Sequence, residues 1–158
     1  QHERQICHGI CCGMVHLHTL NVIHRDLASR NILLSDEMIP KITDFGLSRQ
    51  LNEDSKSGKT YSDEGFPLKW MSPESIKSRS YSTKSDIWSF GILMIEILQK
   101  GEEPYPDLAA FETAVIISKG TRPTIPEGNE TLRQMIDKCT QINPELRPEF
   151  RHLKPHLE

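Results

Sequence analysis

Two short stretches of the 158-residue chain hold side chains whose types could do chemistry together. One is His24-Arg25-Asp26-Leu27-Ala28-Ser29-Arg30-Asn31 and the other is Asp44-Phe45-Gly46. They offer carboxylates, a carboxamide and guanidinium groups, and oxygen donors of this kind suit a hard cation. Taken singly, each has a plain alternative: Asp-Phe-Gly is a common turn tripeptide, and His-Arg-Asp occurs in surface loops. A third cluster, Cys7, His8, Cys11, Cys12, His16 and His18, brings soft and imidazole ligands close together and raises a zinc reading. Cys7 and Cys11 fall one helical turn apart, whereas Cys12 and His8 point elsewhere, so small buried thiols and helix-end histidines are the simpler account.

The elements that must position these groups follow from periodicity. Ile6, Ile10, Met14 and Leu17 recur at helical spacing and predict an amphipathic helix from about His2 to Leu20, interrupted only by small residues such as Gly9 and Gly13. A short strand at Val22-Ile23 follows. Ile32-Leu33-Leu34 and Lys41-Ile42-Thr43, separated by polar turn residues and Pro40, predict a small hairpin. From Leu47 to Phe66 no apolar period survives, which predicts a surface loop. Thr83 to Lys100 is apolar nearly all round, as expected of a buried central helix. Further helices are expected at Leu108 to Ser118, Thr131 to Cys139 and from about Pro148, with a Pro-containing loop at 122–126. No internal repeat or linker divides the chain, and its length fits one domain.

Bulk properties exclude some classes of function. A formal net charge of -3 provides no global positive field for nucleic acid or an anionic membrane. The most apolar run, from Ile87 to Leu98, is too short to span a membrane and contains Glu96. The four cysteines form no spaced framework and read as thiols in a reducing compartment. An intracellular, soluble protein is expected.

His24 to Asn31 followed by Asp44-Phe45-Gly46 resembles the catalytic loop and metal-binding triplet of the protein kinases. Met71-Ser72-Pro73-Glu74 stands where that family has Ala-Pro-Glu, Asp86-Ile87-Trp88-Ser89-Phe90-Gly91 resembles its central-helix signature, and Arg147-Pro148 its closing arginine. Five motifs in the right order are far more specific than any one. The resemblance implies a mainly α fold, the kinase C-terminal lobe: a helical bundle around a buried central helix, with a small β-hairpin at the catalytic cleft. Residues 1–158 would be that lobe, 24–31 its catalytic loop and 44–74 its activation segment.

It also implies roles. Asp26 would accept the proton of the substrate hydroxyl, with Arg30 and Asn31 completing the catalytic set, and Asn31 and Asp44 would hold Mg2+ against the phosphates of ATP. Leu33, with Leu93 and Ile97, would form an apolar spine beneath the adenine, and His24 with Phe45 a second one. Ala28, where serine/threonine kinases usually have lysine, and Arg30 beside Asn31 resemble the tyrosine-kinase pattern. Pro67, Lys69, Trp70 and Met71 resemble the platform that receives the acceptor tyrosine of a protein substrate; Trp70 and Met71 also read as core. Tyr61 would be phosphorylated and pair with Arg25 and Arg49, ordering its segment. Glu74 and Arg147 would form a buried ion pair, and Asp86 would accept hydrogen bonds from the catalytic-loop backbone. Ser29 and Ser72 stand where alanine is commoner, a departure expected to change little.

No Gly-x-Gly-x-x-Gly and no Val-Ala-Ile-Lys occurs in the chain, and the N-terminal lobe that they belong to is expected to be absent from it. The polypeptide by itself is therefore expected to transfer phosphate negligibly. Apolar surface around Leu33, Ile42 and Phe45 would then be uncovered and favour self-association or a partner. Three readings remain open: part of a tyrosine kinase, a half-kinase binding module, and a dual-specificity or serine/threonine enzyme.

Overall fold

The computed structural model describes residues 1–44, the backbone of 49–50, and residues 66–158. The elements are α1 (His2–Thr19), β1 (Val22–Ile23), β2 (Ile32–Leu34), β3 (Pro40–Ile42), β4 (Arg49–Gln50), α2 (Pro73–Ser78), α3 (Thr83–Leu98), α4 (Ala110–Ser118), α5 (Glu130–Cys139) and α6 (Phe150–Leu157). Single 3-10 turns lie at Ser29–Asn31, Leu68–Trp70 and Pro144–Leu146.

The centre of the fold is α3. Ser82 starts it with a capping box: its hydroxyl accepts from the Lys84 and Ser85 amides, and the Ser85 hydroxyl accepts from the Ser82 amide at 2.9 Å. Every residue from 85 to 96 is buried, so the all-round apolar pattern corresponds to burial on all sides. Removing a side chain the size of Phe90, Leu93 or Met94 from water contributes about 1.5–3 kcal/mol. The helix stops at Leu98, not Lys100. Lys100 takes the left-handed conformation (φ 59°), and the Gly101 amide reaches back to the Glu96 carbonyl at 2.8 Å, closing a Schellman motif with lysine in the position glycine usually fills.

The neighbours come close because glycine allows it. A Cβ on Gly91 would lie 2.7 Å from Thr140 Cγ2, so α5 presses directly on the α3 backbone. On α1, a Cβ at Gly9 would meet the Pro40 ring at 2.5 Å and one at Gly13 would meet Ile42 Cδ1 at 2.8 Å. Those two glycines are thus the seat of the hairpin. The β2–β3 pair is antiparallel, with Ile32 opposite Ile42, Leu33 opposite Lys41 and Leu34 opposite Pro40. Pro40, expected in the turn, is the first residue of β3. The turn itself is built by Ser35, whose hydroxyl accepts from the Glu37 and Ile39 amides.

Two elements went unanticipated. Inside the stretch expected to be irregular, Arg49–Gln50 pairs antiparallel with β1, Ile23 opposite Arg49. The short helix α2 is started by Ser72, whose hydroxyl accepts from the Ser75 amide, with Pro73 at its first position. α4 begins two residues later than Leu108, and α6 begins at Phe150. The Phe150 ring makes edge contacts with Phe90 and His18, centroids 5.2 and 5.1 Å apart, and so seals α6 to α3 and α1. Among the described residues no helix is long and apolar enough to cross a membrane.

Cys7, Cys11 and Cys139 are fully buried free thiols, and Cys11 donates to the Phe150 carbonyl at 3.2 Å. Cys12 instead meets His8 one turn away, at 3.8 Å, so these two do share a helix face. Among the described residues no three His, Cys, Asp or Glu side chains converge on a metal position. Burial pushes Cys7 and Cys11 from the usual 9.0 up to about 12, and raises Cys139 as well. Above pH 9 the unfolded chain releases thiol protons that the folded one keeps, so stability is whole below pH 9 and is lost as pH rises toward 12. Urea midpoints measured from pH 8 to 11 are expected to fall. A midpoint flat across that window would contradict the burial of the thiols.

The surface expected to be uncovered is partly so. Leu33 is 60% exposed, and Leu34 and Ile39 are also exposed. Ile42 is not; it is half-buried on α1 over Gly13. Phe45 lies outside the described residues.

Candidate functional site

The site is organised from below by Asp86, on the first turn of α3 and 1% exposed. Its carboxylate accepts from the His24 amide at 2.9 Å and the Arg25 amide at 3.1 Å, and His18 Nε2 lies 2.9 Å from it. These bonds hold Arg25 at φ 73°, a left-handed conformation unusual for a residue with a Cβ. The chain turns sharply there and presents Asp26. His24, fully buried, accepts from the Asp26 amide at Nδ1 (3.1 Å), so Nε2 carries the proton and donates to the Thr43 carbonyl at 3.0 Å.

Asn31 lies 5% exposed at the end of the 3-10 turn. Its Nδ2 donates to the Asp26 carbonyl at 2.7 Å and to Asp26 Oδ2 at 3.0 Å. With the amide so fixed, Asn31 Oδ1 has no hydrogen-bond partner among the described residues. Arg30 donates to the other Asp26 oxygen. The Thr43 amide and hydroxyl both donate to the Asn31 carbonyl, at 2.8 and 3.0 Å, so Asp44, the next residue, emerges beside Asn31. Asp44 is exposed and left-handed, φ 59°. Asp26 and Asn31 are thus bonded to each other, and the Asp44 backbone follows directly beside Asn31 at the open edge of the hairpin. Leu33 projects on the exposed side of β2, while Leu93 is buried in α3.

A buried carboxylate that sequence reasoning missed joins this loop to the 68–70 turn. Glu96, 4% exposed, accepts from the Ser29 amide (2.9 Å), the Ser29 hydroxyl (2.7 Å) and the Trp70 indole N–H (3.0 Å). Its only signal in the sequence is an acidic residue within an apolar run. Ser29 is thus no neutral replacement for alanine, and Ser72, the helix cap described above, is not either. The Arg30 guanidinium stacks over the Trp70 ring, 4.3 Å from its centroid, while reaching Asp26. Of the residues expected to form a platform, Pro67 and Trp70 are half-exposed, but Lys69 and Met71 are buried. Lys69 turns inward, donating to the Tyr105 carbonyl at 3.0 Å, with Glu103 at 3.4 Å.

Replacing Glu96 by glutamine leaves one acceptor oxygen for three donors and turns an N–H2 toward at least one of them, a loss of about 1–3 kcal/mol for a buried group left unpaired. Urea unfolding and the Trp70 indole proton signal read this out. An unmoved indole signal together with unchanged stability would argue against the link.

Glu74 and Arg147 form a two-pronged ion pair, Nη1 to Oε1 at 2.6 Å and Nη2 to Oε2 at 2.9 Å, with the arginine side chain fully buried. Arg25 stacks on Tyr81, 3.8 Å from the ring centroid. Tyr61 and Phe45 lie outside the described residues, and only the backbone of Arg49 is described.

Three relatives resemble the chain over most of its length. Tyrosine-protein kinase csk-1 of Caenorhabditis elegans is 40% identical over 145 residues, which is 89% of this chain and 26% of that protein. Ephrin type-A receptor 8 of Rattus norvegicus is 38% identical over 151 residues, 95% of this chain and 41% of the receptor. Ephrin type-A receptor 6 of the same species is 37% identical over 95% of this chain and 15% of the receptor. The chain therefore spans less than half the length of these relatives. Residues 1–157 match the family described as protein tyrosine and serine/threonine kinase. With that match over nearly the whole chain, and with a helical bundle around α3 that carries the hairpin and the loop from His24 to Asn31, the chain belongs to the protein tyrosine and serine/threonine kinase family.

Proposed function

We propose that the protein to which this chain belongs transfers the γ-phosphate of ATP to tyrosine hydroxyls of protein substrates, with 24–31 as catalytic loop and 44–74 as activation segment. The observation that carries the reading is the double engagement of Arg30, which binds the Asp26 carboxylate and stacks on Trp70. It sets the proton-accepting group beside a half-buried aromatic turn, and Ala28 is buried where a serine/threonine enzyme would extend a lysine. The names of the relatives favour the same specificity.

The donor set fits the cofactors. Asn31 Oδ1, with no partner among the described residues, and the exposed Asp44 carboxylate are both oxygen donors, as Mg2+ requires. When bound, the ion neutralises phosphate charge as the bond to the leaving oxygen breaks. The chain's own part is positioning. Asp26 receives the hydroxyl proton, Asn31 fixes the Asp26 carboxylate through Nδ2, and Asp86 holds the loop from which both project. Lys69 supports the platform from beneath.

The test is phosphate transfer by the full-length protein to peptides that differ only in tyrosine, serine or threonine at one position. Labelling confined to tyrosine is expected. Equal labelling of serine would overturn the specificity, and none at all with ATP and Mg2+ the activity. The 158-residue polypeptide alone, whose sequence holds no Gly-x-Gly-x-x-Gly, is expected to label none of them. The same reading makes Tyr61 a regulatory phosphorylation position that pairs with Arg25 and Arg49, and a Tyr61→Phe protein reaching full activity would reject it. The exposed Leu33, Leu34 and Ile39 form the face where another lobe or a second copy would rest. An intracellular location, which includes the cytoplasmic part of a receptor, belongs to the same reading, with ATP as the donor.

A further inference from the structure

The connection between α2 and α3, residues 79–82, is pinned on both sides of Tyr81. Arg79 ends α2 in the left-handed conformation, φ 53°, with its amide on the Ser75 carbonyl at 3.1 Å. The Ser80 carbonyl accepts from the Ser75 hydroxyl at 2.7 Å, and the Ser82 amide donates to the Ser85 hydroxyl at 2.9 Å. Tyr81, half-buried, stands between those anchors, so its ring is a seat fixed by local structure. What rests on it is Arg25, whose guanidinium lies 3.8 Å from the ring centroid, well inside the roughly 6 Å reach of a cation over an aromatic face. Arg79 lies over the Phe66 ring at 4.0 Å, so the same short connection grips the chain at Phe66 and the residue before Asp26.

Residue 25 is the pivot of the site. Its left-handed backbone, φ 73°, is unfavourable for a residue with a Cβ and persists only where the surroundings over-determine it. Asp86 holds its amide at 3.1 Å, and Tyr81 holds the far end of the same side chain. Both holds come from the start of α3. We propose that Tyr81 is a positioning residue for phosphoryl transfer: its ring fixes the Arg25 guanidinium, and through the turn at Arg25 it keeps the Asp26 carboxylate where the acceptor hydroxyl arrives. This role presupposes that Asp26 is the proton acceptor of the proposed transfer. A ring face is what the role needs. Phenylalanine offers the same face without the hydroxyl, whereas leucine fills much of the space and has no π face. Because Asp26 acts on the hydroxyl proton and not in holding the peptide, the loss on removing the ring belongs in kcat.

The test is steady-state transfer to a tyrosine peptide by full-length Tyr81→Leu, Tyr81→Phe, Arg25→Met and the Arg25→Met, Tyr81→Leu double variant, beside the unaltered protein. Tyr81→Leu is expected to lower kcat by about three- to tenfold, the size of one such contact, with KM within about twofold. Tyr81→Phe should keep the parent kcat, and the double variant should be no slower than Arg25→Met alone, because two residues acting through one contact are not additive. Losses that add in the double variant, a Tyr81→Phe protein as slow as Tyr81→Leu, or an undiminished kcat in Tyr81→Leu would overturn this role while leaving the activity standing. No transfer by the unaltered protein would remove the proposed function and this role with it. Should Tyr81→Leu not fold, the Arg25 Nε–H signal of the unaltered protein decides. Over a ring face it is shielded and lies upfield of arginine signals in the urea-unfolded chain; an unshielded signal overturns the stack.

Discussion

Replacing Arg147 by methionine is expected to destabilise the fold by about 3–5 kcal/mol, the usual loss when one partner of a buried ion pair is removed. All five N–H groups of this arginine find acceptors: Glu74 takes two, and the carbonyls of Gln141, Lys84 and Ile142 the others, at 2.8, 3.0 and 3.3 Å. Methionine fills the space but leaves those acceptors unpaired in a place water hardly reaches, for the side chain is fully buried. The guanidinium also lies over the Trp88 ring, 5.2 Å from its centroid. Lysine in its place should recover little, because an ammonium cannot meet two carboxylate oxygens and three carbonyls in one plane. Glu74→Gln should do less damage, about 1–3 kcal/mol, since its side chain is 22% exposed and the amide oxygen still accepts one bond. Urea unfolding of the three variants decides, and a loss below about 1 kcal/mol for Arg147→Met would show that the pair is not what ties α2 to the segment after α5.

Much of this architecture could be read from residues alone, and the exceptions share a cause. The central helix was legible because apolar residues fill every face, whereas its Ser82 capping box came to light only in the structure. The hairpin was legible as two β-branched runs, but not its register, since Pro40 reads as a turn residue unless one knows that it faces Gly9. β4 was invisible because a two-residue strand has no period; only pairing with β1 creates it. The end of α3 was misplaced by two residues because lysine occupies the left-handed position that usually announces itself as glycine.

At the site, motif order located Asp26, Asn31, Asp44 and Asp86, but it did not reveal which side chains serve them. Glu96, Ser29 and the inward turn of Lys69 are three-dimensional facts. A carboxylate on an apolar helix has no meaning until Ser29 and Trp70 are brought to it. The small departure at Ser29 looked neutral by size, and it is the hydroxyl, not the size, that the structure uses.

Asp26→Asn is the substitution expected to cost the most in activity. The asparagine matches the aspartate in shape, and the Asp26 backbone carbonyl would still accept from Asn31 Nδ2 at 2.7 Å, so the loop keeps its form. Loop stability should change little. What disappears is a group able to take the substrate's proton while also accepting from Asn31 and Arg30. Loss of a positioned general base lowers kcat by roughly 10²–10⁴, equivalent to about 2.7–5.4 kcal/mol of barrier. Because Asp26 would act as the hydroxyl attacks the γ-phosphate and not in holding the peptide, KM should stay within about threefold. Single-turnover transfer by the full-length variant, with a melting curve as the folding control, measures both. A kcat reduced less than about tenfold in a normally folded variant would remove Asp26 from the chemistry and leave it as a positioning partner of Arg30.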